Sequence, residues 1–228
     1  MEIVILAGGL GTRVRSVFSG PKALIPVHGK PIVAHVIDWC LALDLGRITV
    51  AAGYRGNEVQ QVIGERYGDG VEVHLEPELR GTAGCLLPLL PRLGKHFLVV
   101  NGDTLVEGDL RSLWRHHVAS GAMATIGVVR SERLDAGHIE TQGPLPSTVV
   151  QFQEKTPEES HWISAGVYAL SREALMGTGK LPLSLEHDVF PELAHSQELQ
   201  AYPLTRSYDI GTPDRLKEVE HQWWEIRP

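Results

Sequence analysis

The sequence predicts an α/β fold, with helices layered on a largely parallel sheet, and three observations carry that prediction. Short apolar runs rich in β-branched residues alternate with stretches of helical spacing, glycine or proline punctuates most junctions, and 228 residues suffice to bury a substantial core. Strands separated by helices pair in parallel through right-handed crossovers, so ligands are expected at the carboxyl ends of the strands.

Glu2 to Leu6 reads as a buried strand, which Ala7-Gly8-Gly9-Leu10-Gly11 breaks into a loop lasting to about Lys22. Pro31 suits the first position of a helix in which Val33, Val36, Ile37, Cys40 and Leu41 recur at helical spacing, with Gly46 as its stop. Ile48 to Ala52 is the next strand, Asn57 caps a helix through Tyr67, and Val71 to Leu75 is extended. Thr82 to Leu90 reads as helical up to Pro91, its leucines as core, and Phe97 to Val100 as a strand ending in Asn101-Gly102-Asp103.

The second half is less regular. Asp109 caps a helix to about Ala119, and Ala122 to Arg130, Thr148 to Phe152 and Trp162 to Leu170 read as strands. Ser131 to Ser147 has turn residues without a period, as in a loop or weak hairpin. Leu185 to His195 is helical, and Thr212-Pro213 opens a terminal helix to about Glu225. With no internal repeat, heptad run or linker, the chain is expected to be one domain, 1–228.

A formal charge of −7 argues against a broad nucleic-acid footprint. No apolar run approaches the roughly 20 residues that cross a bilayer, and Met1 to Leu6 lacks the basic start of a signal peptide, so neither nucleic acid nor membrane is an expected partner and the expected location is the cytoplasm. Cys40 and Cys85 sit among apolar neighbours, as buried reduced thiols do.

The sharpest local feature is Leu6-Ala7-Gly8-Gly9-Leu10-Gly11-Thr12-Arg13, followed by Pro21-Lys22. Glycines just past a strand let backbone N–H groups approach a phosphate or base, and Arg13 and Lys22 can neutralise the added charge, which describes a nucleoside triphosphate cradle; a plain glycine turn with surface cations is the alternative. The common phosphate-binding loop would need Lys and a hydroxyl after Gly11, and the dinucleotide fingerprint a small residue at Val14 and an acid near Gly53, so both are excluded.

Asp103 and Asp209, each at a strand end or turn, could share a Mg²⁺, which takes few protein carboxylates plus substrate phosphates; turn capping is the alternative for either one. Glu154-Lys155 closes a strand, where the lysine could meet a second phosphate and the glutamate sugar hydroxyls, or both could form a surface ion pair. Ser164-Ala165-Gly166-Val167-Tyr168 interrupts the next strand with small residues. His116-His117 point about 100° apart on a helix and are expected to be solvated rather than to bind zinc. Trp223-Trp224 would cover the core or an oligomer contact.

In order, the Gly-Gly-x-Gly-Thr-Arg loop, Pro21-Lys22, Gly81-Thr82-Ala83-Gly84, Asp103, Glu154-Lys155, Ser164-Ala165-Gly166-x-Tyr168 and Asp209-Ile210-Gly211-Thr212-Pro213 resemble the pattern of the sugar-1-phosphate nucleotidyltransferases. In length, and in ending soon after the last motif, the chain is most similar to the short D-glycero-α-D-manno-heptose 1-phosphate guanylyltransferases and their mannose 1-phosphate relatives.

The resemblance implies a Rossmann-like three-layer α/β/α fold with a mixed, mostly parallel central sheet, the nucleotide-diphospho-sugar transferase fold. It implies 1–103 as mainly the nucleotide-binding half and 104–228 as mainly the sugar-phosphate-binding half. Leu6, Ala7, Gly8, Gly9, Gly11, Thr12, Glu76, Gly81, Thr82, Ala83, Asn101 and Gly102 would bind the nucleotide. Arg13 would face the leaving pyrophosphate and Lys22 the α-phosphate, while Asp103 and Asp209 would hold Mg²⁺. Glu154, Lys155, Ser164 and Gly166 would meet the sugar phosphate. Ser164 stands where many relatives have Asn, and Ala136-Gly137-His138-Ile139 replaces the usual Tyr-Gly-Val.

The implied reaction is attack by a sugar 1-phosphate, best matched by the heptose phosphate, on a nucleoside triphosphate, best matched by GTP. Mannose 1-phosphate, or another base with another sugar, is the alternative within the class. A non-catalytic nucleotide-sugar sensor is the alternative outside it, and a homodimer is allowed.

Overall fold

The structure is a computed structural model and describes residues 1–131, 137–154, 162–177 and 181–222. Two compact units divide the chain. One comprises Met1–Leu79, Val100–Leu105 and Tyr208–Pro228, the other Arg80–Val99 and Val106–Ser207.

In the first unit the strands Glu72–Leu75, Arg47–Ala52 and Glu2–Leu6 lie side by side in parallel, with Leu6 opposite Ala51 and Ala52 opposite Leu75. Ile3, Val4 and Ile5 are buried in succession, as in a strand covered on both faces. Helix Ile32–Ala42 buries Ile32, Val33, Val36, Ile37 and Cys40 and ends four residues before the expected Gly46, because Leu43 closes it and Asp44 turns into the left-handed region at φ 47°. Helix Gly56–Tyr67 begins one residue before Asn57, behind Arg55 at φ 51°.

In the second unit the strand order is residues 96–99 of the strand His96–Asn101, then Trp162–Ser171, Ala124–Arg130, Leu199–Pro203, Ser147–Glu154, Gly137–Thr141. The sheet is mixed as expected. Glu72–Leu75, Arg47–Ala52 and Glu2–Leu6 pair in parallel, as do Leu199–Pro203 and Ala124–Arg130, whereas Trp162–Ser171 runs antiparallel to Ala124–Arg130 and to Gly137–Thr141, and Ser147–Glu154 antiparallel to Leu199–Pro203 and to Gly137–Thr141. Between Ser164 and Tyr168 the register with Ala124–Arg130 shifts, so the small residues at Ala165 and Gly166 form a bulge.

The expected helix over Thr82–Leu90 is a single turn, Gly81–Gly84, followed by a tighter 3₁₀ turn, Leu87–Arg92. Pro88 and Pro91 lack the amides an α-helix needs, so the shorter-period turn takes over. Ser131–Ser147 contains the strand Gly137–Thr141, the hairpin alternative. Thr104–Glu107, Leu199–Pro203 and Arg206–Asp209 are strands that the sequence reading passed over. Asp109 caps helix Leu110–Ser120 as expected, accepting from the Ser112 amide at 3.0 Å.

That helix also overturns the expectation for His117, which is fully buried beside Leu110 and Leu113. The 100° offset from His116 rules out a shared zinc face, yet it leaves His117 seven residues from Leu110, on the apolar stripe. Its Nε2 lies 3.0 Å from His96 Nδ1 and its Nδ1 3.1 Å from Thr125 Oγ1. Cys40 and Cys85 are buried and form no disulfide, and burial pushes the Cys40 thiol up to about 12. No helix among the described residues is long and apolar enough to cross a membrane. Trp223 and Trp224 lie outside the described residues.

Candidate active site

The glycine loop lies on the carboxyl ends of the first unit's strands. The Ala7 amide donates to Ala51 O at 2.8 Å and the Tyr54 amide to Gly8 O at 3.1 Å, so the loop continues the sheet for two residues before it turns. Glu76 enters just past Glu72–Leu75, its amide on Ala52 O at 2.9 Å. Its carboxylate rests against Gly8, where a Cβ would stand 2.6 Å from Oε1, so a side chain at Gly8 would displace the carboxylate. The Gly102 amide donates to Leu6 O at 2.9 Å, which sets Asn101 and Gly102 beside the loop's first residue.

Gly11 has φ 60°, and a Cβ there would lie 2.9 Å from Lys22 Cβ, so the turn that starts the 3₁₀ turn Thr12–Val14 also lets Lys22 approach. Thr12 and Arg13 are exposed on that turn, and Arg13 has no hydrogen-bond or ion-pair partner among the described residues. Lys22, held by the turn Lys22–Leu24, forms a partly buried ion pair from Nζ to Asp103 Oδ2, while Thr104 Oγ1 donates to Asp103 Oδ1 at 3.0 Å.

Asp209 ends the strand Arg206–Asp209. Its Oδ1 accepts from the Gly211 amide and from Arg215 Nη1, both at 2.8 Å. The Ile210 amide donates to Asp103 O at 3.2 Å, tying the two acidic segments together. The position a Gly211 Cβ would occupy gives the scale: 2.6 Å from Asp209 Oδ1, 3.2 Å from Arg215 Nη1 and 3.7 Å from Lys22 Nζ. Asp209, Arg215 and Lys22 therefore adjoin one point, and Asp103 joins them through its ion pair with Lys22.

Among the described residues no three His, Cys, Asp or Glu side chains gather as a closed metal site. Carboxylate oxygens are the donors a hard cation takes when substrate phosphate oxygens complete its shell, so Asp103 and Asp209 fit Mg²⁺ in kind, each carboxylate now holding a cation, Lys22 or Arg215.

The second unit holds the other expected residues. Gly81, Thr82 and Ala83 form the short turn, which Leu183 grips: its carbonyl accepts from the Ala83 and Gly84 amides at 3.0 Å, and its amide donates to Arg80 O at 2.8 Å. Ser164 and Gly166 lie in the bulge, the Gly166 amide donating to Ser164 Oγ at 3.3 Å. Glu154 ends the strand Ser147–Glu154, and Lys155 lies outside the described residues.

Sequence reasoning missed Arg215 and Glu186. Arg215 sits three residues after Thr212 in the first turn of helix Pro213–Gln222, where the helix dipole disfavours a cation unless it is paired. That misplaced charge was a legible signal. Glu186 gave none, since the partners that matter, Tyr168 and Thr82, are about 20 and 100 residues away in sequence.

Fold and site together define the class: a mixed α/β protein with the nucleotide-diphospho-sugar transferase fold. The chain belongs to the nucleotidyl transferase family, which matches it over residues 2–225. It is 29% identical over 231 residues, 97% of this chain and 98% of the relative, to the D-glycero-α-D-manno-heptose 1-phosphate guanylyltransferase of Aneurinibacillus thermoaerophilus. It is 30% identical over 223 residues to the mannose-1-phosphate guanyltransferase of Hypocrea jecorina, covering 93% of this chain but spanning only 61% of that relative's length. The fold matches the crystal structure of HddC from Yersinia pseudotuberculosis, with TM-score 0.83 and 24% identity over 97% of this chain and 99% of that one.

Proposed function

We propose that the protein transfers a guanylyl group from GTP to D-glycero-α-D-manno-heptose 1-phosphate, giving the GDP-sugar and pyrophosphate. The gathering of Lys22, Asp209 and Arg215, with Asp103 paired to Lys22 and Lys22 against Gly11 of the glycine loop, carries this reading. The heptose guanylyltransferase that matches end to end supports the choice of substrates.

An oxygen of the sugar 1-phosphate forms a bond to the α-phosphorus as the bond from that phosphorus to the bridging oxygen breaks, and pyrophosphate leaves with the electron pair. A phosphate monoester is already a competent nucleophile at neutral pH, so the protein needs no general base; alignment and charge neutralisation supply the acceleration. The exposed guanidinium of Arg13 neutralises the leaving group, and Lys22 the α-phosphate. Asp103 and Asp209 would hold Mg²⁺, which when bound neutralises phosphate oxygens. The glycine loop presents backbone amides to the nucleotide, and the Glu76 carboxylate offers the pair of acceptors that guanine N1–H and its 2-amino group require.

The test is pyrophosphate release from each common nucleoside triphosphate against heptose, mannose and glucose 1-phosphates, with Mg²⁺ or with a chelator. GTP with the heptose phosphate should give the highest kcat/KM and the chelator should abolish it. Release with mannose 1-phosphate instead would transfer the reading to the relatives this chain only partly spans, and no release from any pair would end it in favour of a non-catalytic nucleotide-sugar sensor.

A further inference from the structure

In the second unit one carboxylate joins two segments that the proposed reaction assigns to different substrates. Glu186 lies in the wide turn Leu185–Val189, whose start is capped by Ser184 Oγ accepting from the Glu186 and His187 amides, both at 3.1 Å. Its Oε2 accepts from Thr82 Oγ1 at 2.6 Å and from Ser184 Oγ at 2.9 Å. Thr82 Oγ1 in turn accepts from the Leu185 amide at 2.8 Å. The Gly81–Gly84 turn is thus fixed through Leu183, Leu185 and Glu186 together.

The other oxygen, Oε1, accepts from the hydroxyl of Tyr168 at 3.4 Å, and that hydroxyl accepts from Ser164 Oγ at 3.2 Å. Tyr168 is 1% exposed and its ring packs on Phe190, centroids 5.0 Å apart, in the helix that follows the Glu186 turn. A phenol so confined cannot follow a moving serine, and Ser164 also accepts from the Gly166 amide of the bulge. The hydrogen bonds run without a break from the bulge through Ser164, Tyr168 and Glu186 to Thr82. A partly buried carboxylate with several donors is costly to leave partnerless, so both ends hold their positions as a unit.

We propose that Glu186 is a positioning residue that couples the Gly81–Gly84 turn to the Ser164–Gly166 bulge, so that ordering either segment orders the other. Resting on the guanylyltransfer reading, this makes the affinities for nucleotide and sugar phosphate interdependent through Glu186 without its touching either one.

Two measurements test it. Amide hydrogen exchange on the full chain needs no turnover. Glu186→Met should speed exchange about tenfold at both 81–84 and 164–166, Glu186→Gln, which keeps one acceptor oxygen, should fall between it and the wild type, and Tyr168→Phe should affect both segments, 164–166 more than 81–84, which keeps its own bond to Glu186. Wild-type rates at either segment in Glu186→Gln and Glu186→Met overturn the coupling. In steady-state kinetics, Glu186→Gln should raise both KM values about fivefold or more with a smaller change in kcat, and Tyr168→Phe chiefly the sugar-phosphate KM. A kcat loss with both KM values unchanged also overturns it. If the wild type turns over no substrate pair, the guanylyltransfer reading fails while the exchange measurement still decides the coupling.

Discussion

Arg215 Nη1 and Asp209 Oδ1 are 2.8 Å apart, and the pair is largely shielded, the side chains being 17% and 19% exposed. The arginine comes from the first turn of helix Pro213–Gln222 and the aspartate from the end of the preceding strand, so the pair fixes where the carboxylate points. Lys22 does the same for Asp103. Arg215→Met should therefore act in two ways: stability should fall by about 1–3 kcal/mol, because a shielded carboxylate loses a charged donor, and kcat/KM should fall by about tenfold or more, because the carboxylate loses its orientation. Urea unfolding and pyrophosphate release measure the two effects, and unchanged turnover would remove Arg215 from the site.

Asp103→Asn preserves size and the Thr104 contact while removing the charge that faces Lys22. Mg²⁺-dependent turnover should drop by about a hundredfold or more, with circular dichroism unchanged. Near-normal activity would refute the metal role for Asp103.

Glu76 offers two acceptors against Gly8, and Glu76→Gln replaces one of them with a donor at nearly constant shape. A mismatched polar pair costs about 1–3 kcal/mol, so kcat/KM for GTP should fall by about 10- to 100-fold relative to ATP. An unchanged GTP-to-ATP ratio would take base selection away from this carboxylate.

The parts of this fold that rest on local rules were legible. The strand Glu2–Leu6 and its glycine break, the Asp109 cap and the strand at Trp162 all follow from apolar runs, capping residues and chain breakers within a few positions. What escaped depends on distant partners. Leu199–Pro203 is a strand because Ala124–Arg130 lies beside it, and the short polar Arg206–Asp209 because Thr104–Glu107 does. The site was legible as an ordered set of motifs, yet spacing could not show that Asp103 pairs with Lys22 or that Tyr168 and Thr82 meet on one carboxylate.

His117 makes the stability of the second unit depend on pH. Burial, with smaller contributions from His96 and His116, pushes its pKa down to about 4, whereas the unfolded chain titrates near 6.5. Between those values the unfolded state binds a proton that the folded state refuses, so stability is intact above about 6.5 and declines as pH falls towards 4, by about 3 kcal/mol in all. His35 and His96, also lowered by burial, act in the same direction, so the informative quantity is the difference from His117→Phe. Unfolding free energies at pH 7 and pH 5 should show a smaller decline in the variant. Equal declines would mean that His117 does not titrate in this window.

Gly9 and Gly11 separate the demands of the fold from those of the ligand. A Cβ at Gly11 would meet Lys22 Cβ at 2.9 Å on a backbone of φ 60°, so Gly11→Ala should cost about 1–2 kcal/mol of stability and displace Lys22, lowering kcat as well. A Cβ at Gly9 would meet nothing within 4 Å, and its φ lies outside the left-handed region. Gly9→Ala should thus leave the thermal midpoint within about a degree of the wild type, in line with an unobstructed surface change. If the loop's amides approach a nucleotide as closely as proposed, the same methyl group should raise KM for the triphosphate about tenfold, because the space it fills is then substrate space. Equal KM values with equal midpoints would show that Gly9 is open to solvent in the working enzyme and that the cradle begins at Gly11.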